Sequence, residues 1–109
     1  MAMDIPTLRK LVSLDENDPL SRFALGKKLF ELRRTPDAVS EAAGHLRFAN
    51  ERAPEHLATY HILGQVLIQL GEKDEARRVL EKGRRRALAV GEGMGRDLAP
   101  AMEKLLADL

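Results

Sequence analysis

The chain has 109 residues, enough for one domain that removes roughly 60–70% of its unfolded surface from water. Hydrophobic residues make up 44% and charged residues 32%, and 18 basic against 17 acidic residues leave no bulk charge with which to hold nucleic acid or an anionic membrane. Cysteine is absent, which excludes disulfides and thiol chemistry, and the aromatic side chains are only Phe23, Phe30, Phe48 and Tyr60, so the core must be aliphatic.

The opening Met-Ala-Met-Asp-Ile-Pro shows neither a basic leader nor a long apolar stretch, and no later apolar run reaches membrane length. A cytoplasmic location without membrane contact is the expectation. Six helices are predicted. The first, about Ile5 to Leu14, places Ile5, Leu8, Leu11 and Val12 on one stripe, with Asp4 as its cap and Pro6 in the first turn. Asp15 to Pro19 is a polar break, because Pro19 disfavours helix at Asp18 and pre-sets the next start. The second helix, about Pro19 to Leu32, carries Leu25, Leu29 and Leu32 at helical spacing and stops at Arg33-Arg-Thr-Pro-Asp37. A third, about Pro36 to Arg52, offers Val39, Ala42, Ala43, Leu46 and Ala49 to a core and ends before Pro54. The fourth runs from about Glu55 to Leu70 and is closed by Gly71. The fifth follows from about Lys73 to Val90. Gly91-Glu-Gly-Met-Gly95 then reads as a flexible joint before a last helix bearing Leu98, Met102, Leu105 and Leu109 on one face.

Two segments repeat one pattern. Tyr60-x2-Leu63-Gly64-x2-Leu67 with Ala76-x3-Leu80 matches Leu25-Gly26-x2-Leu29 with Ala42-x3-Leu46 and Pro54. Gly64 and Ala76 are 12 residues apart and Gly26 and Ala42 are 16, so the first copy holds four extra residues near 33–40, at a hairpin tip where lengthening costs little. The register resumes beyond them. Small residues belong where two helix axes come closest, so Gly26 and Gly64 are expected to face Ala42 and Ala76, with Leu25, Leu46, Leu63 and Leu80 filling the flanks. A large residue at Gly64 or Ala76 is expected to cost roughly 1–3 kcal/mol by overpacking.

This spacing resembles the tetratricopeptide repeat, a helix–turn–helix unit of about 34 residues, over roughly residues 19–90. Tyr60 stands at the usual Trp place of the second repeat and Arg22 at that of the first, while Leu67 and Leu80 replace usual aromatics. Asp18-Pro-Leu-Ser-Arg-Phe-Ala-Leu25 is similar to the opening of small bacterial members of the family. The resemblance implies an all-α, right-handed α-α superhelix of hairpins: one domain with an N-terminal half-unit helix (4–14), repeat one (19–54), repeat two (55–90) and a C-terminal capping helix (95–109). Two repeats fall short of the three usually needed for a continuous core, which is why a cap is expected. The glycine-rich joint equally permits a swapped homodimer.

The resemblance further implies a non-enzymatic module without cofactor, binding a protein or peptide in a concave groove lined by the first helix of each hairpin. The groove positions are Leu20, Phe23, Lys27 and Phe30 in repeat one, and Ala58, His61, Gln65, Ile68 and Gln69 in repeat two. Phe23 and Phe30 read equally well as core residues filling the space of the missing Trp. The Lys/Asn set that grips a terminal carboxylate in chaperone-binding members is not reproduced, since Phe23, Lys27 and Ile62 occupy its first three places. Two other readings stand beside the groove: a structural or oligomer-forming unit whose groove is filled by its own or a swapped terminal helix, and a nucleic-acid accessory using the Arg-rich fifth helix.

Chemical sites find little support. His45, His56 and His61 lack the spacing of a ligand set, and His56 and His61, five apart on one helix, diverge. Gly91-x-Gly-x-Gly95 has no strand before it, and Gly26-Lys-Lys lacks the upstream glycine of a phosphate loop. Glu41 and His45 form a local i,i+4 pair. The run from Arg77 to Arg86 is a real asymmetry, with Glu72, Asp74, Glu75 and Glu81 close enough to offset it.

Overall fold

The structure, a computed structural model, describes residues 3–109. Six α-helices and no strand occur among the described residues: α1 (Ile5–Leu14), α2 (Pro19–Leu32), α3 (Pro36–Arg52), α4 (Leu57–Gln69), α5 (Lys73–Val90) and α6 (Met94–Ala107). They form two compact units, residues 1–53 and 54–109.

In the first unit every helix starts on a side chain that satisfies an otherwise unpaired backbone donor. The Asp4 carboxylate accepts from Thr7 N–H at 2.9 Å, Asp18 from Leu20 N–H at 3.1 Å, and the Thr35 hydroxyl from Ala38 N–H at 3.2 Å. Each helix also has a proline in its first turn, where the missing N–H costs nothing. Leu8 and Val12 of α1, Leu25 and Leu29 of α2, and Val39, Ala42, Ala43, Leu46 and Ala49 of α3 are buried. A methyl group added at Gly26 would sit 2.8 Å from Leu46 Cγ and 3.2 Å from the Ala42 carbonyl oxygen, so α2 and α3 cross at that glycine.

The second unit begins differently. His56, Glu72 and Gly93 stand before α4, α5 and α6, and none makes a side-chain cap bond. The fourth helix starts at Leu57, two residues later than expected, because His56 takes the extended cap conformation with its Nδ1 2.7 Å from Thr59 Oγ1. Gly71, at φ +80°, turns the chain between α4 and α5. Here packing does the holding. A Cβ at Gly64 would lie 2.6 Å from Leu80 Cγ, and one at Gly83 would lie 2.5 Å from Tyr60 Cβ and 2.7 Å from Met102 Sδ. Gly83 is thus the point where α4, α5 and α6 meet. Leu57, Tyr60, Leu80, Ala87, Ala99 and Met102 form the core around it. The expected flexible joint is shorter than the sequence suggests: α6 already includes Met94, and Gly95 is buried against the Ala87 carbonyl.

Candidate interaction surface

On α2, the residues expected to line a groove divide by burial. Leu20 is 58% exposed, Phe23 is half-buried and Lys27 is exposed. Phe23 and Lys27, with Met3, Leu8, Ala24, Lys28 and Glu31, line a shallow depression of about 400 Å³. Its floor is apolar and its rim carries two ammonium groups, each close to Glu31 (3.9 Å from Lys27 and 3.8 Å from Lys28). Such exposed pairs are weak, so the lysines remain available to another carboxylate or carbonyl. Phe30 lies apart from this set. Only 9% of it is exposed, and the Arg33 guanidinium covers the ring at 4.6 Å while donating to the Phe30 carbonyl at 3.2 Å.

On α4, Ala58, His61, Gln65 and Ile68 are half-buried and Gln69 is exposed. Gln65 Nε2 donates to the His61 carbonyl at 3.4 Å and lies 3.4 Å from His61 Nε2. Burial pushes the His61 pKa below its ordinary 6.5, which favours the neutral ring. Ile68 packs on the edge of the Tyr60–Met102 core, so it is shared between interior and surface. The repeat-pattern residues are interior: Leu25, Ala42, Leu46, Tyr60, Leu63, Ala76 and Leu80 are each at most 1% exposed.

A polar chain in the first unit connects residues far apart in sequence. Arg9 clasps the Glu41 carboxylate with both terminal nitrogens, Nη2 donating to Oε1 at 2.9 Å. Glu41 Oε2 lies 3.2 Å from His45 Nε2, and His45 Nδ1 lies 3.3 Å from Arg22 Nη1. A guanidinium only donates, so Nδ1 accepts and the Nε2–H donates to Glu41; one neutral tautomer satisfies both. The Arg9 hydrogen bond holds the Glu41 carboxyl below its ordinary value against the opposing effect of burial. Arg22 also donates to the Glu16 carbonyl at 3.0 Å and lies 4.5 Å over the Phe48 ring, which Arg52 approaches at 4.8 Å. At the matching place of the second repeat Tyr60 is buried, and its hydroxyl donates to the Pro54 carbonyl at 2.6 Å. An arginine–phenylalanine stack and a buried tyrosine therefore serve the same repeat position.

His45, His56 and His61 each contact a different partner, and the described residues contain no group of three His, Asp or Glu placed to hold a metal ion. No described helix is long and apolar enough to cross a membrane.

Fold and surface define an all-α hairpin protein whose hairpins cross at glycine. The model of the tetratricopeptide repeat family matches residues 38–89, from the start of α3 to the end of α5. A solved structure titled "Crystal structure of MamA" superposes with a TM-score of 0.65 at 25% identity, covering 94% of this chain. The present chain spans 63% of the length of that one. No curated protein matches the sequence significantly. Residues 38–89 thus carry a tetratricopeptide repeat, and the all-α fold of the chain is similar to that of the superposed structure.

Proposed function

We propose that the protein is a non-enzymatic interaction module that holds a peptide or helix of a partner protein on the first-helix faces of its hairpins. Leu20, Phe23 and Lys27 supply the face on α2, and Ala58, His61, Gln65, Ile68 and Gln69 supply it on α4. The observation that carries this reading is the depression around Phe23. An apolar floor beside two lysines suits an apolar side chain followed by a backbone carbonyl or carboxylate. Phe30, being buried, supports the face from behind and contributes little contact of its own. On the same reading α6 caps the second hairpin, since Met102 is fully buried beside Gly83 and Tyr60.

The test is a random-peptide display selection against the protein, followed by affinities for the selected peptides. Phe23→Glu with Lys27→Glu, and separately Gln65→Glu, are expected to weaken binding about tenfold or more while leaving the circular dichroism spectrum intact. Selected peptides that bind all variants equally would refute the assignment.

A further inference from the structure

We infer that the outer face of α5 is a second docking surface, shaped for an acidic helix or peptide of a partner protein. Arg78, Lys82 and Arg85 follow one another at spacings of four and three, so they line a single face over about 10 Å. That face is opposite the buried Ala76, Leu80, Gly83 and Ala87, and so it is turned away from α4 and α6. Arg86 stands beside the row. All four side chains are exposed.

The neighbouring cations are already engaged. Arg77 reaches Asp74 at 3.3 Å and Arg84 approaches Glu103 at 3.7 Å, across to α6. Arg78, Lys82, Arg85 and Arg86 hold no hydrogen bond or ion pair with any described residue. Like charges one turn apart cost a helix a few tenths of a kcal/mol per pair, and the single carboxylate of Glu81, three residues from Arg78 and four from Arg85, offsets only part of that cost. The helix dipole does not explain them, because the last turn of α5 contains no basic residue. An arriving row of carboxylates would relieve the repulsion.

The surroundings favour polypeptide over nucleic acid. Next to Arg86, Leu57, Ala89 and Val90 line a depression of about 250 Å³ with Glu55 on its rim. Leu88 and Val90 are 54% and 55% exposed. Cations bordering apolar surface suit a chain that alternates acidic and apolar side chains. No aromatic residue occurs in α5 on which a base could stack, and 10 Å of cations spans few phosphates. This surface is separate from the faces of α2 and α4 proposed above, so the two assignments stand or fall on different variants.

The probe is a short labelled helical peptide with glutamates at i, i+4 and i+7 and a leucine one turn further, compared with its glutamine counterpart and with single-stranded RNA. Binding of the glutamate peptide is expected to weaken with salt, and to fall about tenfold in the Arg78→Glu, Lys82→Glu, Arg85→Glu variant. Lys10→Glu, Arg34→Glu, Lys104→Glu makes the same change in net charge elsewhere and is expected to leave binding unchanged. Amide NMR shifts in the unaltered protein are expected at residues 78–90, a readout that holds even where a variant misfolds. No binding, equal losses in both variants, shifts confined to other residues, or RNA binding more tightly than the peptide through this row would each overturn the proposal.

Discussion

In residues 1–53 each helix begins on a capping side chain, Asp4, Asp18 or Thr35, followed by a proline. In residues 54–109 the three helices have no side-chain cap bond, and their core instead closes on Gly64 and Gly83, where a single methyl group would collide with Leu80, Tyr60 or Met102. Both hairpins cross at a glycine, Gly26 or Gly64, but the first unit adds a local side-chain cap at each helix start, whereas the second adds a further packing point at Gly83. Sequence signals for the first kind are short and explicit. For the second kind they are a glycine and a bulky residue far apart in the chain.

The largest expected effect that sharpens this contrast is Met102→Ala. It removes a fully buried side chain from the meeting point at Gly83 and should cost about 2–5 kcal/mol in urea denaturation. A loss near zero would mean that α6 is dispensable to the second core. Thr35→Ala should cost about 1 kcal/mol, with hydrogen exchange accelerated at the start of α3 and little changed in α4–α6. Uniform acceleration throughout the chain would erase the distinction between the units.

Acid should separate the units more gently. His61 has a folded pKa below 6.5, so it contributes stability that is present above that value and lost as pH falls through it. Glu41 is held below its ordinary 4.5 by Arg9, so its contribution persists to lower pH and is lost as pH falls through the depressed value. Hydrogen exchange followed down in pH should therefore loosen residues 54–109 first, and His61→Gln should remove that early step. An early step unaffected by His61→Gln would assign it to another group.

Much of this fold is legible in the sequence, for physical reasons visible at particular residues. Asp18-Pro19 and Thr35-Pro36 mark helix starts because cap and proline act within a few residues. The Leu-Gly and Ala spacings place the crossings of α2 on α3 and of α4 on α5, since a tight approach needs small side chains at matched heights. The partner of each glycine is less legible: Leu46 and Leu80, rather than Ala42 and Ala76 alone, fill the space above Gly26 and Gly64. Gly83 passes as a weak spot inside an arginine-rich helix, because its contacts, Tyr60 and Met102, lie about twenty residues away on either side. Glu41 and His45 read as a local pair, whereas Arg9, 32 residues from Glu41, is the stronger partner. On the candidate surface, spacing alone puts Phe23 and Phe30 on one face. Only packing shows Phe23 lining a depression and Phe30 beneath Arg33.

Glycine is required where these helices meet, and Gly83→Ala tests that requirement most directly. At an open site within a helix this change stabilises by up to about 1 kcal/mol through helix propensity. At Gly83 the new methyl would lie 2.5 Å from Tyr60 Cβ, which cannot swing aside as the tip of a long side chain can. A lower unfolding free energy in urea is the predicted result; an equal or higher one would contradict it.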